Sequence, residues 1–224
     1  MSPPGYSPTA AGIERFVREQ GITEVLHFTT NLGLLGIVGT GRVFSRRDLP
    51  EERYIEHVYR PNCETRKDPH YIGYISMSIS RINDWMFETS ERWHSADGVW
   101  WVALSFAPSI LQDPDVLFVT TNNIYPAARR ATGIAGLSAL FDDQVAGKYS
   151  KITKRSPSTH QPNWPTDRQA EVLYPRPLGL DSLRTLYVRD GEHVDEIHGM
   201  IAGIPDAANL DRIKIECRPE VFET

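Results

Sequence analysis

The sequence predicts an α+β fold, a single domain built on a mostly antiparallel β-sheet with flanking helices. Three observations carry this expectation. "VWWVALSF" (99–106) and "DVLFVTTN" (115–122) are apolar runs of strand length and read as buried strands. "YISMSIS" (74–80) alternates Ile75, Met77 and Ile79 with Ser76, Ser78 and Ser80, the period of a half-buried strand. Helical and strand-like segments do not alternate regularly along the chain, so antiparallel pairing is expected over a regular βαβ order.

The elements follow in order. Residues 1–12 are rich in Pro, Gly, Ser and Ala and read as a flexible tail, leaving 13–224 as the domain. "GIERFVREQGI" is an amphipathic helix with Ile13, Phe16 and Val17 on one face and Gly21 after its end. "EVLHFT" (24–29) is strand-like. "NLGLLGIVGTG" (31–41) reads as a helix capped by Asn31, burying Leu32, Leu35 and Val38 and stopped by Gly39 or Gly41. Residues 45–71 are polar, mixed in charge and unusually long for a connection. After the strands near 74–80, 99–106 and 115–122, "GIAGLSALFDD" (133–143) is a helix and 144–169 a long polar loop. "EVLYP" is a short strand ended by Pro175. "LRTLYVRD" (183–190), a helix near 191–202 and "RIKIECRPEVF" (212–222) complete the chain.

Composition excludes some classes. With 40% hydrophobic and 24% charged residues the chain has the makeup of an ordinary soluble domain. No apolar run approaches the roughly 20 residues a membrane span needs. The N-terminus lacks the basic start and apolar middle of a signal peptide, so a cytoplasmic location is expected. Cys63 and Cys217 are the only cysteines and provide no disulfide framework. A net charge of −5 argues mildly against non-specific coating of nucleic acid, but it does not exclude a local basic groove.

Several stretches invite chemistry. The glycines of "GLLGIVGTG" follow a strand but lack G-x-G-x-x-G spacing, and helix packing accounts for them better than a dinucleotide fingerprint. His57, Cys63 and His70 lack the spacing of a structural zinc site, so no metal is expected. In "HFTTN" (27–31), alternation puts His27, Thr29 and Asn31 on one face; a ligand site and a locally satisfied His beside a helix cap are equally good readings. In "SISRIN" (78–83), Arg81 just past an apolar strand suits a phosphate or carboxylate, although a surface arginine is the commoner case. The 144–169 loop carries Lys148, Lys151, Lys154, Arg155 and Arg168 against the single acid Asp167, interleaved with Tyr149, His160 and Trp164. Cations for phosphate and rings for bases fit a nucleic-acid strand; a solvated loop is the plain alternative. Glu171 opens the next strand. From composition alone it reads as a solvated strand residue.

Taken in order, "HFTTNLGLLGIVGTG", "YISMSISRIN", "VWWVALSF", "VLFVTTNNIYP" and "RQAEVLYP" resemble the DarT family, bacterial toxins that transfer ADP-ribose from NAD+ onto bases of single-stranded DNA. The resemblance runs from about residue 24 to residue 190. "TTNNIYP" and "QAEVLYP" are closer to the guanine-modifying branch than to the thymine-modifying one. The resemblance implies an ADP-ribosyltransferase fold, with a split, mostly antiparallel β core and NAD+ as co-substrate in a central cleft. It also implies roles. Glu171 is the catalytic carboxylate and Arg81 a catalytic and NAD-binding arginine. His27, Thr29 and Asn31 contact NAD+. The loop with Lys148, Lys151, Lys154, Arg155, His160, Trp164 and Arg168 recognises the DNA, and residues 42–70 cover NAD+. An antitoxin partner that removes the ADP-ribose or blocks the toxin, and a part in phage defence, follow by the same analogy. An RNA- or protein-directed ADP-ribosyltransferase, or a non-catalytic nucleic-acid-binding module, are the competing readings.

Overall fold

The computed structural model describes residues 8–49, 69–94, 98–204, 210 and 212–223. Its elements are α1 (Pro8–Gln20), β1 (Val25–Thr30), α2 (Asn31–Thr40), β2 (Arg42–Val43), β3 (Ile75–Ile79), α3 (Asp84–Trp93), β4 (Trp101–Phe106), β5 (Leu117–Val119), β6 (Arg130–Thr132), α4 (Gly133–Ala139), β7 (Gln144–Ala146), β8 (Ile152–Lys154), β9 (Glu171–Tyr174), β10 (Leu178–Gly179), β11 (Leu183–Val188), α5 (Glu192–Ala202) and β12 (Lys214–Cys217). Eight strands form one sheet in the order β12-β11-β4-β1-β3-β9-β5-β6. Within it only β11 and β12 run parallel. This is the mostly antiparallel α+β architecture that the sequence predicts.

Strand alternation divides the sheet into two unlike faces. On one, Val25, Met77, Ile79, Leu104, Phe106, Phe118, Val172 and Leu186 join Ile13, Leu34, Ile37, Leu137 and Ile197 from the helices in the main core. The other face carries two smaller clusters. One contains Leu26, Phe87, Trp101, Ala103 and Phe222, the other Val119, Ala128 and Leu173. Between them β3 turns Ser76 and Ser78 to this face, and β9 turns Glu171 the same way, opposite Val172. The polar gap between two apolar patches is where the sheet opens.

The opening has a structural cause. β1 pairs with β4 over six residues, from Val25↔Phe106 to Thr30↔Trp101. It pairs with β3 only at Val25↔Ile79 and Leu26↔Ser78. From His27 onward β1 and β3 part, and β3 continues against β9 from Met77↔Val172 to Ile75↔Tyr174. A parted pair of strands leaves backbone groups without ladder partners, and each needs another. The Ser76 carbonyl finds one in the His27 ring, whose Nδ1 lies 2.9 Å away.

Four local expectations need correction. Residues 8–12 belong to α1, not to a loose tail: Pro8 is tolerated in a first helical turn, and Ala10 and Ala11 favour helix. The cap of α2 is Thr30, whose side chain accepts from the Gly33 N–H, and Asn31 is the first helical residue. The buried face is Leu34, Ile37 and Val38, not Leu32, Leu35 and Val38, and Leu35 is exposed, while Gly41 at φ 68° ends the helix. Residues 144–169 are not one loop. They include the β7–β8 hairpin, whose strands are three residues long and bury only Val145 fully, too little apolar pattern to read. Most of the 42–70 segment lies outside the described residues.

Gly136 of α4 marks a tight approach that supports β5 and β6. A Cβ there would lie 2.1 Å from the Ala131 carbonyl oxygen and 3.0 Å from a Phe118 ring carbon. Gly136→Ala is therefore expected to lower stability by about 2 kcal/mol through overpacking. Urea unfolding measures this as a lower midpoint at constant slope, and an unchanged midpoint would refute the close approach.

Candidate active site

Glu171 stands at the first position of β9 and is 8% exposed. A buried carboxylate needs donors, and two come from distant parts of the chain. Oε2 accepts from the Ser76 hydroxyl at 3.0 Å, and Oε1 from the Asn123 backbone N–H at 3.0 Å. Both oxygens are thereby fixed in orientation. The solvated strand residue that composition suggests is not what the fold builds.

Ser76 is the junction of the site. Its hydroxyl holds Glu171 while its carbonyl takes the His27 ring. A carbonyl only accepts, so His27 Nδ1 carries the proton, and in the neutral ring Nε2 is an acceptor. Burial pulls the His27 pKa below its ordinary 6.5, partly opposed by the Ser76 hydrogen bond, so the ring is neutral at pH 7.

The Asn123 N–H is positioned by its own support. Arg130 donates from Nε to Asn123 Oδ1 at 2.7 Å and from another nitrogen to the Ala128 carbonyl at 2.8 Å, and it also bonds the Asn123 carbonyl. The same turn reaches the residues just before β9 by side chains. Tyr125 donates to Gln169 Oε1 at 3.1 Å and Asn122 Nδ2 approaches that oxygen at 3.4 Å. Thus "TTNNIYP" and "QAEVLYP", distant in sequence, meet around Glu171.

Arg81 leaves β3 through a tight turn. Its N–H bonds the Ile79 carbonyl at 2.8 Å across Ser80, which holds φ 60°. A non-glycine residue rarely adopts that conformation, and here it fixes the direction of Arg81. The guanidinium lies 4.8 Å from the centre of the Trp164 ring, and its buried Nε has no hydrogen-bond partner among the described residues. Burial lowers its pKa most, the nearby Arg168 cation adds to this, and Asp167 opposes. A partly buried guanidinium with an unused N–H is a favourable place for an anion. Arg168 itself pairs with the buried Asp84.

The remaining sequence-derived site residues divide by what they touch. Thr29 is buried, and Gly33 leaves the room its hydroxyl occupies: a Cβ there would fall 2.1 Å from Thr29 Oγ1. Asn31 binds the segment entering β4, donating to the Gly98 carbonyl at 2.9 Å and facing the Trp100 N–H at 3.4 Å. Arg155 closes the loop after β8 with bonds to the carbonyls of Trp164 (2.6 Å), Pro162 (2.9 Å) and Gln161 (3.0 Å). His160 is held between the Ser156 N–H and the Thr166 carbonyl. Lys148, Lys151 and Lys154 extend from the hairpin into solvent. Among the described residues no group of three His, Cys, Asp or Glu is placed to hold a metal, and no helix is long and apolar enough to cross a membrane. His57 and Cys63 lie outside the described residues.

Ser76, Asn123 and Arg130 are additions that sequence reasoning missed. Ser76 looked like a solvent-facing partner in an alternating strand. Asn123 follows the apolar run read as a strand, and nothing in the sequence showed that its N–H would face a carboxylate.

Known proteins resemble this chain in family and in fold. The family model described as "ssDNA thymidine ADP-ribosyltransferase, DarT" matches residues 26–223. Among solved structures, Thermus sp. 2.9 DarT in complex with NAD+ superposes with a TM-score of 0.60 at 15% identity, covering 89% of this chain and 97% of that one. The same Thermus protein in complex with ADP-ribosylated ssDNA gives 0.57 at 14%, covering 90% and 97%. Thermosipho africanus DarTG in complex with ADP-ribose gives 0.55 at 12%, covering 89% of this chain and 51% of that one. At these identities the likeness is one of fold. No curated protein matches the chain significantly.

Two predictions follow from the junction. Ser76→Ala removes one donor from Glu171 and is expected to lower turnover about 10- to 100-fold, the worth of a hydrogen bond to a charged group, with the chain still folded by circular dichroism; unchanged turnover would show that the Ser76 hydroxyl is idle. His27, with its lowered pKa, takes up a proton more readily unfolded than folded. Stability is therefore lost as pH falls below 6.5 toward the folded value. Melting temperatures from pH 7 down to pH 5 are expected to fall less steeply for His27→Gln than for the natural chain, and equal slopes would remove His27 as the cause.

Proposed function

The chain belongs to the DarT family, and on that footing we propose that it transfers ADP-ribose from NAD+ onto a base of single-stranded DNA, releasing nicotinamide, and that it acts as the toxin of a toxin–antitoxin pair. The observation that carries this reading is the Glu171 carboxylate, held by Ser76 and Asn123 at the gap between β1 and β3, with the His27 acceptor bonded to the same Ser76. The Thermus relatives, whose structures hold NAD+, carba-NAD+ and ADP-ribosylated ssDNA, support it.

The chemistry follows from what the residues offer. The glycosidic bond between nicotinamide and ribose breaks with the electron pair going to nicotinamide, which leaves neutral. Positive charge builds on the ribose, as in glycoside cleavage. Glu171, bonded to the neighbouring ribose hydroxyl, stabilises that charge. A base nitrogen then attacks the same carbon, forming the new bond, and Glu171 takes the proton the nitrogen loses. His27 Nε2 accepts from a ribose hydroxyl, and Arg81 neutralises the diphosphate. A base within a duplex hides its reactive edge and costs a few kcal/mol to extrude, which favours a single strand.

The acceptor base in this proposal is guanine in preference to thymine, supported by the motifs "TTNNIYP" and "QAEVLYP", although the family description speaks of thymidine. An antitoxin that removes ADP-ribose or blocks the site completes the reading, and a cytoplasmic location agrees with it.

Labelled NAD+ offered in parallel to guanine-only-modifiable and thymine-only-modifiable single strands, duplex DNA, RNA and bulk protein tests the reaction. Label on the guanine-containing single strand is expected. Label on the thymine strand alone would overturn the base preference, and label only on RNA or protein would overturn DNA as acceptor. Glu171→Ala is expected to cut transfer by a factor of about 10² to 10⁴ while NAD+ binding, measured by calorimetry, largely survives. Full transfer by that variant would remove Glu171 from the mechanism.

A further inference from the structure

Arg130 belongs to β6, the last strand of the sheet, yet it faces the reaction centre. β9, β5 and β6 pair so that Glu171, Val119 and Arg130 form one cross-strand row. Members of a row point to the same face. Arg130 therefore starts two strand spacings from Glu171, roughly 10 Å, and its guanidinium turns to the connection between β5 and β6. Nε donates to Asn123 Oδ1 at 2.7 Å, and one terminal nitrogen donates to the Ala128 carbonyl at 2.8 Å. The other terminal nitrogen bonds the Asn123 carbonyl and lies 3.4 Å from the Tyr125 carbonyl. Asn123, Tyr125 and Ala128 are all buried. The connection has no glycine, and its Pro126 has no N–H to donate. Tyr125 N–H bonds the Asn122 carbonyl and Ala128 N–H the Tyr125 carbonyl, both at 3.0 Å. To these main-chain bonds Arg130 adds a planar fork that grips the side chain and the carbonyl of Asn123 together.

Asn123 is also the residue whose N–H meets Glu171 Oε1, at 3.0 Å. Holding its side chain and its carbonyl at once fixes the direction of that N–H. The clamp is itself covered. The Tyr71 ring lies 5.7 Å from the guanidinium, and Tyr71 and Tyr74 pack against the cluster of Val119, Ala128 and Leu173. An aromatic face on a guanidinium holds it in place and leaves its edge donors to the turn. Core packing does not account for Arg130, since Ala131 and Thr132, the rest of β6, are exposed.

We infer that Arg130 is a positioning residue for the transfer: through Asn123 it holds a donor against one oxygen of Glu171, and Tyr71 steadies the clamp. This rests on the proposed reaction. A carboxylate already oriented stabilises charge on the ribose without rearranging as the bond breaks. That ribose charge is absent from bound NAD+ before cleavage. The clamp therefore acts on turnover rather than on affinity for NAD+.

The test compares the natural chain with Arg130→Lys, which keeps the charge and removes the fork. Nicotinamide release in the presence of single-stranded DNA is expected to fall about 10- to 100-fold, the worth of a hydrogen bond to a charged group. The dissociation constant for carba-NAD+, measured by calorimetry, is expected to stay within about twofold. Asn123→Ala removes the clamped side chain, and its loss of turnover is expected not to multiply with that of Arg130→Lys in the double variant, because both break one clamp. Natural turnover in Arg130→Lys overturns the inference. So does an equal loss of turnover and of carba-NAD+ affinity, which a loosened cleft would give. Residue-resolved deuterium exchange without NAD+ separates the clamp from the reaction. The Asn123 amide is expected to exchange about tenfold or more faster in Arg130→Lys, with the amides of β1 and β4 unchanged. Equal exchange at Asn123 overturns the clamp and leaves the reaction standing. Faster exchange in the variant of a chain that releases no nicotinamide with any acceptor overturns the reaction, and the positioning role with it.

Discussion

The parting of β1 from β3 at His27 is the constraint on which the site depends. A sheet that stayed zipped would have satisfied the Ser76 carbonyl through the ladder and left no cleft. Because the strands separate after Leu26, the carbonyl is met by an imidazole, and that bond sets which ring nitrogen is the acceptor. The Ser76 hydroxyl, on the same residue, is free to hold Glu171. One residue thus couples the gap in the sheet to the orientation of two side chains from different strands. β4 makes this tolerable, since its full six-residue pairing keeps β1 in place when β3 leaves.

Around this junction the protein supplies rigid supports and, on the β7–β8 hairpin, exposed charge. Arg130 fixes the Asn123 turn from behind, and the strained turn at Ser80 aims Arg81 over Trp164. Arg155 and His160 bond main-chain atoms within the segment before β9, so its polar interior is satisfied locally. The lysines of the hairpin remain in solvent, where their attraction to phosphate is long-ranged and weakened by salt. Fixed donors near the carboxylate and exposed cations further out suit a site that must hold one substrate tightly and guide another.

How much of this was legible differs by residue. β4 and β3 could be read directly, one as an unbroken apolar run and the other as clean alternation, because burial on two faces or one leaves those patterns. The β7–β8 hairpin could not, since three-residue strands with one buried side chain carry no period. His27, Arg81 and Glu171 stand out through ordered motifs resembling a family; by residue type alone His27 fitted a blander reading equally well, and Arg81 and Glu171 fitted one better. Ser76 was invisible because its importance lies in a backbone carbonyl, which every residue has. Arg155 is a cation in any sequence count, and only the fold shows its guanidinium turned to three carbonyls. The α2 cap fell one residue from its expected place because Thr30 and Asn31 are both good caps and the strand's end decides between them.

The central claim is that the gap opened between β1 and β3 is the place where NAD+ is cleaved. A crystal structure with a non-reactive NAD+ analogue tests it most directly. The account predicts the nicotinamide ribose in that gap, with its hydroxyls within about 3.2 Å of the Glu171 carboxylate and His27 Nε2. An analogue bound with its ribose touching neither residue would contradict it.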